Sequence, residues 1–212
     1  MSTDGIRMAV LVSAKGRGTN MQALIEGCKS GKINGEVAVV IGTKEGSPAL
    51  ENAANEGVAT LAISPKSFEA VSDYDAAVLQ ALQEHNVDLV CLAGYMRLLG
   101  VDIIRSYRHR VMNIHPALVP MFAGKGMYGH HVHEAVIERG VKVTGVTVHF
   151  VDEEYDHGPI IVQTPVLVEE DDDPDSLAAC VLKHEHASYV RAVSLFADGK
   201  LKVEDGKVKI SA

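Results

Sequence analysis

The sequence predicts an α/β fold, a Rossmann-like, doubly wound and mostly parallel sheet extended by a β-hairpin. Three observations predict it. Short apolar runs of strand length alternate with helically spaced apolar residues through the first half of the 212-residue chain. The turn after the first run, Lys15-Gly16-Arg17-Gly18-Thr19-Asn20, is glycine-containing and opens a helix, as the first βα turn of such sheets does. After His115 the alternation gives way to two long extended runs joined by an acidic turn.

Taken in order, residues 8–12 read as a buried strand, and Met21, Leu24, Ile25 and Cys28 repeat at helical spacing behind it. Residues 37–41 form a second strand. Pro48 opens the next helix and Gly57 ends it. Residues 58–63 are a third strand, 76–82 a helix, 89–93 a fourth strand, 101–107 a short helix and 110–114 a fifth strand. Residues 121–131 are glycine-rich with little periodicity and read as a loop, followed by a short helix over 133–139. The extended runs 143–151 and 160–168 make a long hairpin at the sheet edge. Residues 175 to about 197 form a C-terminal helix with Leu177, Val181, His184, Ala187 and Ser188 along one side, and Asp205-Gly206 turns a final small hairpin. No internal repeat or linker interrupts this pattern, so one domain over residues 1–212 is expected.

Composition narrows the function. Hydrophobic content of 47% and charged content of 23% are ordinary for a soluble enzyme. A net charge of -8 argues against a broad nucleic-acid surface but not against a small phosphate site, because backbone N–H groups bind phosphate without net positive charge. Three widely spaced cysteines, Cys28, Cys91 and Cys180, imply no disulfide framework and fit a reducing compartment, with Cys28 and Cys91 read as core. The polar lead and the apolar run after it are too short for a signal or membrane segment, so the expected home is the cytoplasm and no membrane partner is expected. Oligomeric state is left open, and a homodimer is compatible with the sequence.

The most informative stretch is Val111-Met112-Asn113-Ile114-His115-Pro116. In an extended segment residues two apart point to the same side, so Asn113 and His115 can aim at one atom. An amide N–H donor beside a titratable imidazole suits a carbonyl oxygen that becomes an oxyanion, and the carboxyl end of a strand in an open parallel sheet is where ligands bind. The bland alternative is a turn-capping Asn and a satisfied loop His. Residues 15–20 offer backbone N–H groups and a helix N-terminus to an anion, against the alternative of a plain turn with an Asn or Thr cap. Asp156 stands among several acids in a turn, but His157-Gly158-Pro159 follows it and the chain re-enters a strand. Set beside an imidazole, that carboxylate would raise the imidazole's pKa. His130, His131, His133, His184 and His186 have poor ligand spacing, so no metal is expected. Glu185 alone reads as a surface carboxylate, and residues 92–99 as either an apolar ligand loop or an ordinary hinge.

Together these pieces resemble the glycinamide ribonucleotide formyltransferase family of purine synthesis. The resemblance runs over nearly the whole chain. It rests on Gly18-Thr19-Asn20, Ala93-Gly94-Tyr95-Met96-Arg97-Leu98-Leu99, Asn113-Ile114-His115-Pro116, Gly145-Val146-Thr147-Val148-His149-Phe150-Val151, Asp156-x-Gly158-Pro159 and Glu185-His186. It implies 10-formyltetrahydrofolate as the donor co-substrate, phosphoribosylglycinamide as the acceptor, and no metal. It implies that Gly18, Thr19 and Asn20 hold the ribonucleotide phosphate and that Glu185 binds elsewhere on that substrate. Met96, Arg97, Leu98 and Leu99 would line the folate pocket, largely through backbone groups, and Asp152, Glu153, Glu154, Tyr155 and Asp156 would form its far wall. Asn113, protonated His115 and Asp156 would be the catalytic set. Residues 1–115 would then be a nucleotide-binding half, and residues 116–212 would complete the folate site. The chain departs from the family's commoner pattern in a longer first loop, where Lys15 or Arg17 would either reach the phosphate or stay solvated, in Ala117 where Ser is usual, and in a longer run over 124–129.

Relatives with the same triad are the rivals. Methionyl-tRNA formyltransferase carries an extra C-terminal domain and formyltetrahydrofolate deformylase an extra N-terminal one, so chain length is expected to separate them from this sequence. A non-catalytic folate- or nucleotide-binding protein is the rival of a different class.

Overall fold

A computed structural model describes residues 5–211; the polar lead before Gly5 lies outside the described residues. Seven strands form one sheet in the order β3-β2-β1-β4-β5-β6-β7. They are β1 (Ile6–Val12), β2 (Gly35–Gly42), β3 (Thr60–Ala62), β4 (Leu89–Leu92), β5 (Val111–His115), β6 (Val143–Phe150) and β7 (Ile160–Leu167). A separate two-stranded sheet pairs β8 (Leu201–Glu204) with β9 (Lys207–Ile210). The expected α/β class, with a mostly parallel sheet and a C-terminal hairpin, is the class found. The chain divides into two compact units, Met1–Met112 and Asn113–Ala212.

The first unit is built by parallel pairing. β1 runs beside β2 from Ile6↔Gly35 to Val12↔Gly42 and, on its other side, beside β4 from Met8↔Leu89 to Leu11↔Leu92. Strands buried on both faces must be apolar throughout, which is why Met8 to Leu11 and Leu89 to Cys91 are fully enclosed runs. The helices α1 (Thr19–Lys29), α2 (Pro48–Asn55), α3 (Val71–Glu84) and α4 (Val101–Ser106) alternate with these strands. On α3, Tyr74, Val78, Ala81 and Leu82 form one buried stripe at helical spacing. The helix starts five residues before the apolar pattern shows it, because its first three residues, Val71, Ser72 and Asp73, are exposed. β3 is shorter than its apolar run, since the Val58 N–H is bonded to the Ala53 carbonyl at the end of α2. The strand order reverses between β1 and β4, and the chain leaves both strands at their carboxyl ends, the place where open α/β sheets bind ligands.

The second unit pairs β6 with β7 antiparallel, Val143↔Leu167 through His149↔Ile160, and carries α5 (His130–Arg139) and α6 (Pro174–Ala197). A capping box starts α6: Asp173 Oδ1 accepts the Ser176 N–H at 2.8 Å, and the Ser176 hydroxyl accepts the Asp173 N–H at 3.0 Å. The buried face of α6 is Leu177, Val181, Ser188, Tyr189, Ala192 and Val193. Ala187, expected on that side, is exposed, because 188 and 189 continue the 3.6-residue stripe and 187 falls beyond it. α5 starts three residues earlier than its apolar pattern. Cys28 is half-buried rather than core, while Cys91 is fully buried.

Leu177 is enclosed completely at the first turn of α6. Leu177→Ala removes its side chain without room for collapse. It is expected to lower unfolding free energy by about 2–5 kcal/mol, read as a shift in urea midpoint with an unchanged slope.

Candidate functional site

β5 delivers two side chains to one face. Asn113 and His115 are two residues apart on the strand, and His115 is buried while Asn113 is half-buried. The acidic turn between β6 and β7 brings Asp156 to them. Gly158 makes that turn close: a Cβ there would overlap the Phe150 carbonyl oxygen, so the chain can fold back against the end of β6 only with glycine at 158. Asp156 itself sits at φ +52°, a left-handed conformation that Asp tolerates better than most residues.

The Asp156 carboxylate is met from several sides. Its Oδ2 accepts the Gly124 N–H at 3.0 Å and lies 3.5 Å from His115 Nδ1. Its Oδ1 accepts from Asn113 Nδ2 at 3.2 Å and lies 3.7 Å from His149 Nε2. Burial raises its pKa, but hydrogen bonding to His149, the charge of His115 and the Gly124 N–H outweigh burial and hold it below the ordinary carboxylate value. Asp156 is therefore an anion at neutral pH.

Carbonyl partners fix the histidine tautomers. His115 Nε2 is 2.7 Å from the Phe122 carbonyl oxygen, which can only accept, so Nε2 carries the hydrogen and Nδ1 faces Asp156. His149 Nδ1 donates to the Phe150 carbonyl at 2.8 Å, and its Nε2 lies 3.3 Å from Asn113 Nδ2. The Asn113 amide nitrogen thus faces Asp156 and His149, and the amide oxygen turns the other way. These bonds sit at the long end of the normal range.

One expectation is corrected here. Asp156 does raise the pKa of His115, as does the hydrogen bond to Phe122, but burial outweighs both and His149 opposes them further. The net shift is downward. His115 is neutral at pH 7, not held as the imidazolium.

Around this cluster β6 supplies the support. Seven consecutive residues, Thr144 to Phe150, are buried. The Thr147 hydroxyl donates to the Ala117 carbonyl at 2.7 Å and accepts from the Val119 N–H at 3.0 Å, pinning the segment that leaves His115. Gln163 on β7 adds bonds to the Val119 carbonyl and to Thr147 at 2.9 and 3.1 Å. His149 and Thr147 were not singled out in the sequence. The available signal was a histidine and a threonine inside an otherwise apolar strand.

Gly18 is the N-cap of α1 at φ +75°, with no side-chain cap hydrogen bond, so the alternative of an Asn or Thr cap does not hold. Lys15 and Arg17 are exposed, and the Arg17 carbonyl accepts from Asn52 at 3.0 Å. Met96 to Leu99 follow β4, with Met96 and Leu98 exposed and Leu99 buried, and the Ser13 hydroxyl accepts the Met96 N–H at 3.0 Å. That bond ties together the loops that follow β1 and β4. Glu185 is half-buried on α6. In the acidic turn Asp152 accepts the Glu154 N–H at 3.0 Å and bonds His157 at 2.7 Å, while Glu153, Glu154 and Tyr155 are exposed. Among the described residues no group of three His, Cys, Asp or Glu is arranged to hold a metal ion, and no helix is long and apolar enough to cross a membrane.

A family model described as formyl transferase matches residues 6–193. The chain belongs to the formyl transferase family. It is 40% identical to the chloroplastic phosphoribosylglycinamide formyltransferase of Arabidopsis thaliana over 94% of this chain and 68% of that protein. It is 37% identical to the Escherichia coli phosphoribosylglycinamide formyltransferase over 93% of this chain and 91% of that protein. Against the trifunctional purine biosynthetic protein adenosine-3 of Drosophila melanogaster it is 42% identical and spans 14% of that protein. Glycinamide ribonucleotide transformylase 1 from Symbiobacterium toebii superimposes with a TM-score of 0.93 at 42% identity, covering 100% of this chain and 96% of that one. A formyltetrahydrofolate deformylase from Pseudomonas syringae shares the fold at a TM-score of 0.88 and 25% identity, with 67% of that chain covered. Asn113, His115 and Asp156 of this formyl transferase chain are thus brought together in a domain whose more similar relatives are transferases.

His133, buried on α5, is pushed down to about 4 by burial and by the charges of His130 and His115. The folded state holds it neutral, whereas the unfolded residue titrates near 6.5. Stability from this group is complete above pH 6.5 and is lost as pH falls from 6.5 through about 4. The loss is on the order of 3 kcal/mol. Urea unfolding at pH 7.5 and 5 is expected to show about 2 kcal/mol of it, and His133→Gln to shrink that difference; an unchanged difference would place the effect elsewhere.

Proposed function

We propose that the chain transfers the formyl group of 10-formyltetrahydrofolate to the amine of N1-(5-phosphoribosyl)glycinamide, in the purine pathway named for its relatives. The observation that carries this reading is the convergence of Asn113 and His115 on Asp156, at 3.2 and 3.5 Å, in a formyl transferase chain matching phosphoribosylglycinamide formyltransferases nearly end to end.

The chemistry needs an oxygen stabilised and a proton moved. The neutral amine attacks the formyl carbon, the new N–C bond forms, and the formyl oxygen gains charge. Asn113 Nδ2 and the His115 Nε2–H are the donors suited to that oxygen. The long Asn113 bonds can yield one hydrogen to it, and the formyl oxygen takes the place of the Phe122 carbonyl at His115. The amine proton passes, through water, to the departing folate nitrogen as its bond to carbon breaks, with the Asp156 carboxylate, 3.5 Å from His115, favouring the positive charge on the way.

The substrate assignments follow the family resemblance, with local chemistry in support. Gly18, Thr19 and Asn20 take the phosphate: the helix they begin has no side-chain cap and no acid in its first turn, so its N–H groups and dipole favour an anion. Glu185 binds the same substrate. Met96 to Leu99 and residues 152–156 take the folate, for which the exposed Met96 and Leu98 offer apolar contact and the backbone polar groups. The chain's own donors suffice for the reaction, and no metal enters it. Both halves, 1–115 and 116–212, act as one formyltransferase domain, and three free cysteines fit a cytoplasmic setting. A homodimer is compatible with this scheme.

The test is an absorbance assay of folate deformylation with and without the ribonucleotide. Turnover only with it, and formyl recovered on it, is expected. Equal release of formate without it would make the chain a deformylase. Asp156→Asn is expected to slow transfer about 10²–10⁴-fold while both ligands still bind; full activity would remove Asp156 from the chemistry.

A further inference from the structure

The loop after β4 alternates. Tyr95 and Leu99 are buried, Arg97 is half-buried, and Gly94, Met96 and Leu98 are exposed. The inward side chains meet α3. The Arg97 guanidinium carbon sits 5.1 Å from the centroid of the Tyr74 ring, a cation–π arrangement, and its Nε is buried with no hydrogen-bond partner. The Tyr74 and Tyr95 hydroxyls share a buried hydrogen bond of 2.8 Å. Phe68 packs edge-on to Tyr74 at 5.9 Å and completes the wall.

The far end of the loop is fixed by the next residue of α3. Asp75 accepts the Gly100 N–H, and the approach is so close that a Cβ on Gly100 would lie 2.5 Å from Asp75 Oδ2. Burial raises the pKa of Asp75, and the Arg97 charge and the Gly100 N–H oppose that rise, so Arg97 and Asp75 are electrostatic neighbours. At the near end the Ser13 hydroxyl takes the Met96 N–H. Four anchors thus hold seven residues, and the Arg97 charge is directed at α3, away from the side on which Met96 and Leu98 emerge.

We infer that Tyr74, Asp75 and the Arg97 side chain are positioning residues for the formyl donor. They clamp residues 94–100 from behind so that the outward face meets the pterin in a fixed register, and the Arg97 guanidinium does not itself touch the ligand. The inference rests on the formyltransferase reading above, and it corrects the simplest meaning of a folate-lining arginine, which would pair its charge with the donor's carboxylates. Removing a cation–π interaction from a partly desolvated site, together with the register it holds, costs about tenfold in an equilibrium.

The test compares wild type, Arg97→Met, Arg97→Lys and Tyr74→Phe, each first shown to be folded by thermal unfolding. Arg97→Met is expected to raise KM for 10-formyltetrahydrofolate about tenfold, with kcat falling less than KM rises and KM for phosphoribosylglycinamide moving less than twofold. Arg97→Lys, which keeps a cation over the ring, recovers most of the loss, and Tyr74→Phe shows a smaller rise. The deciding arm uses a formyl donor lacking its glutamate tail. The Arg97→Met penalty persists with it if the residue positions the loop. A penalty that vanishes with the truncated donor overturns the inference and makes Arg97 a carboxylate ligand. Unchanged donor KM in Arg97→Met, with an active wild type, also overturns it. A wild type inactive with both substrates overturns the formyltransferase reading and this inference with it.

Discussion

A buried carboxylate has to be surrounded, and the arrangement around Asp156 follows from that requirement. An ionised group taken out of water is tolerated only when donors replace the lost hydration. Asp156 finds them in the Gly124 N–H and the Asn113 amide, with the His115 and His149 rings beside them. Those groups come from β5, the end of β6 and the loop after residue 116. Satisfying one charge therefore sets the position of three separate segments of the second unit. The cost of leaving any of these partners out makes the cluster specific in geometry, whatever it adds to stability.

The first unit solves a different problem. In a parallel sheet wound in both directions, the loops after β1 and β4 leave the sheet side by side, where the strand order reverses. The Ser13–Met96 bond joins them, and α3 braces the second from beneath through Tyr74 and Asp75. The in–out alternation from Gly94 to Leu99 turns Tyr95, Arg97 and Leu99 inward and leaves Gly94, Met96 and Leu98 exposed.

Much of this was legible in the sequence because it depends on period. Apolar runs of four to eight residues mark buried parallel strands, and the two-residue spacing of Asn113 and His115 puts both on one face of β5 without further information. Helix starts were less legible. α3 and α5 both begin with exposed residues and have no side-chain cap hydrogen bond, so neither burial nor a capping residue marks where they start. Long-range pairing between separate segments was not legible from local pattern. Nothing local says that Asp156 meets His115, that Thr147 pins the segment after it, or that Arg97 turns back onto Tyr74. His149 shows where a signal existed: a strand buried along seven residues has no place for an unpaired imidazole, so one inside it needs partners. The motif containing it marked the family, but its chemistry is read from its neighbours in space.

The electrostatics of His115 separate what a neighbour does from what the whole environment does. A carboxylate at 3.5 Å favours the imidazolium, and adjacency alone argues for a permanent ion pair. Burial argues the other way and prevails, since a ring that is 3% exposed loses hydration on all sides while Asp156 already shares its charge among other donors. The same carboxylate that would favour a fixed imidazolium on the surface stands, in the interior, beside a ring whose pKa burial lowers.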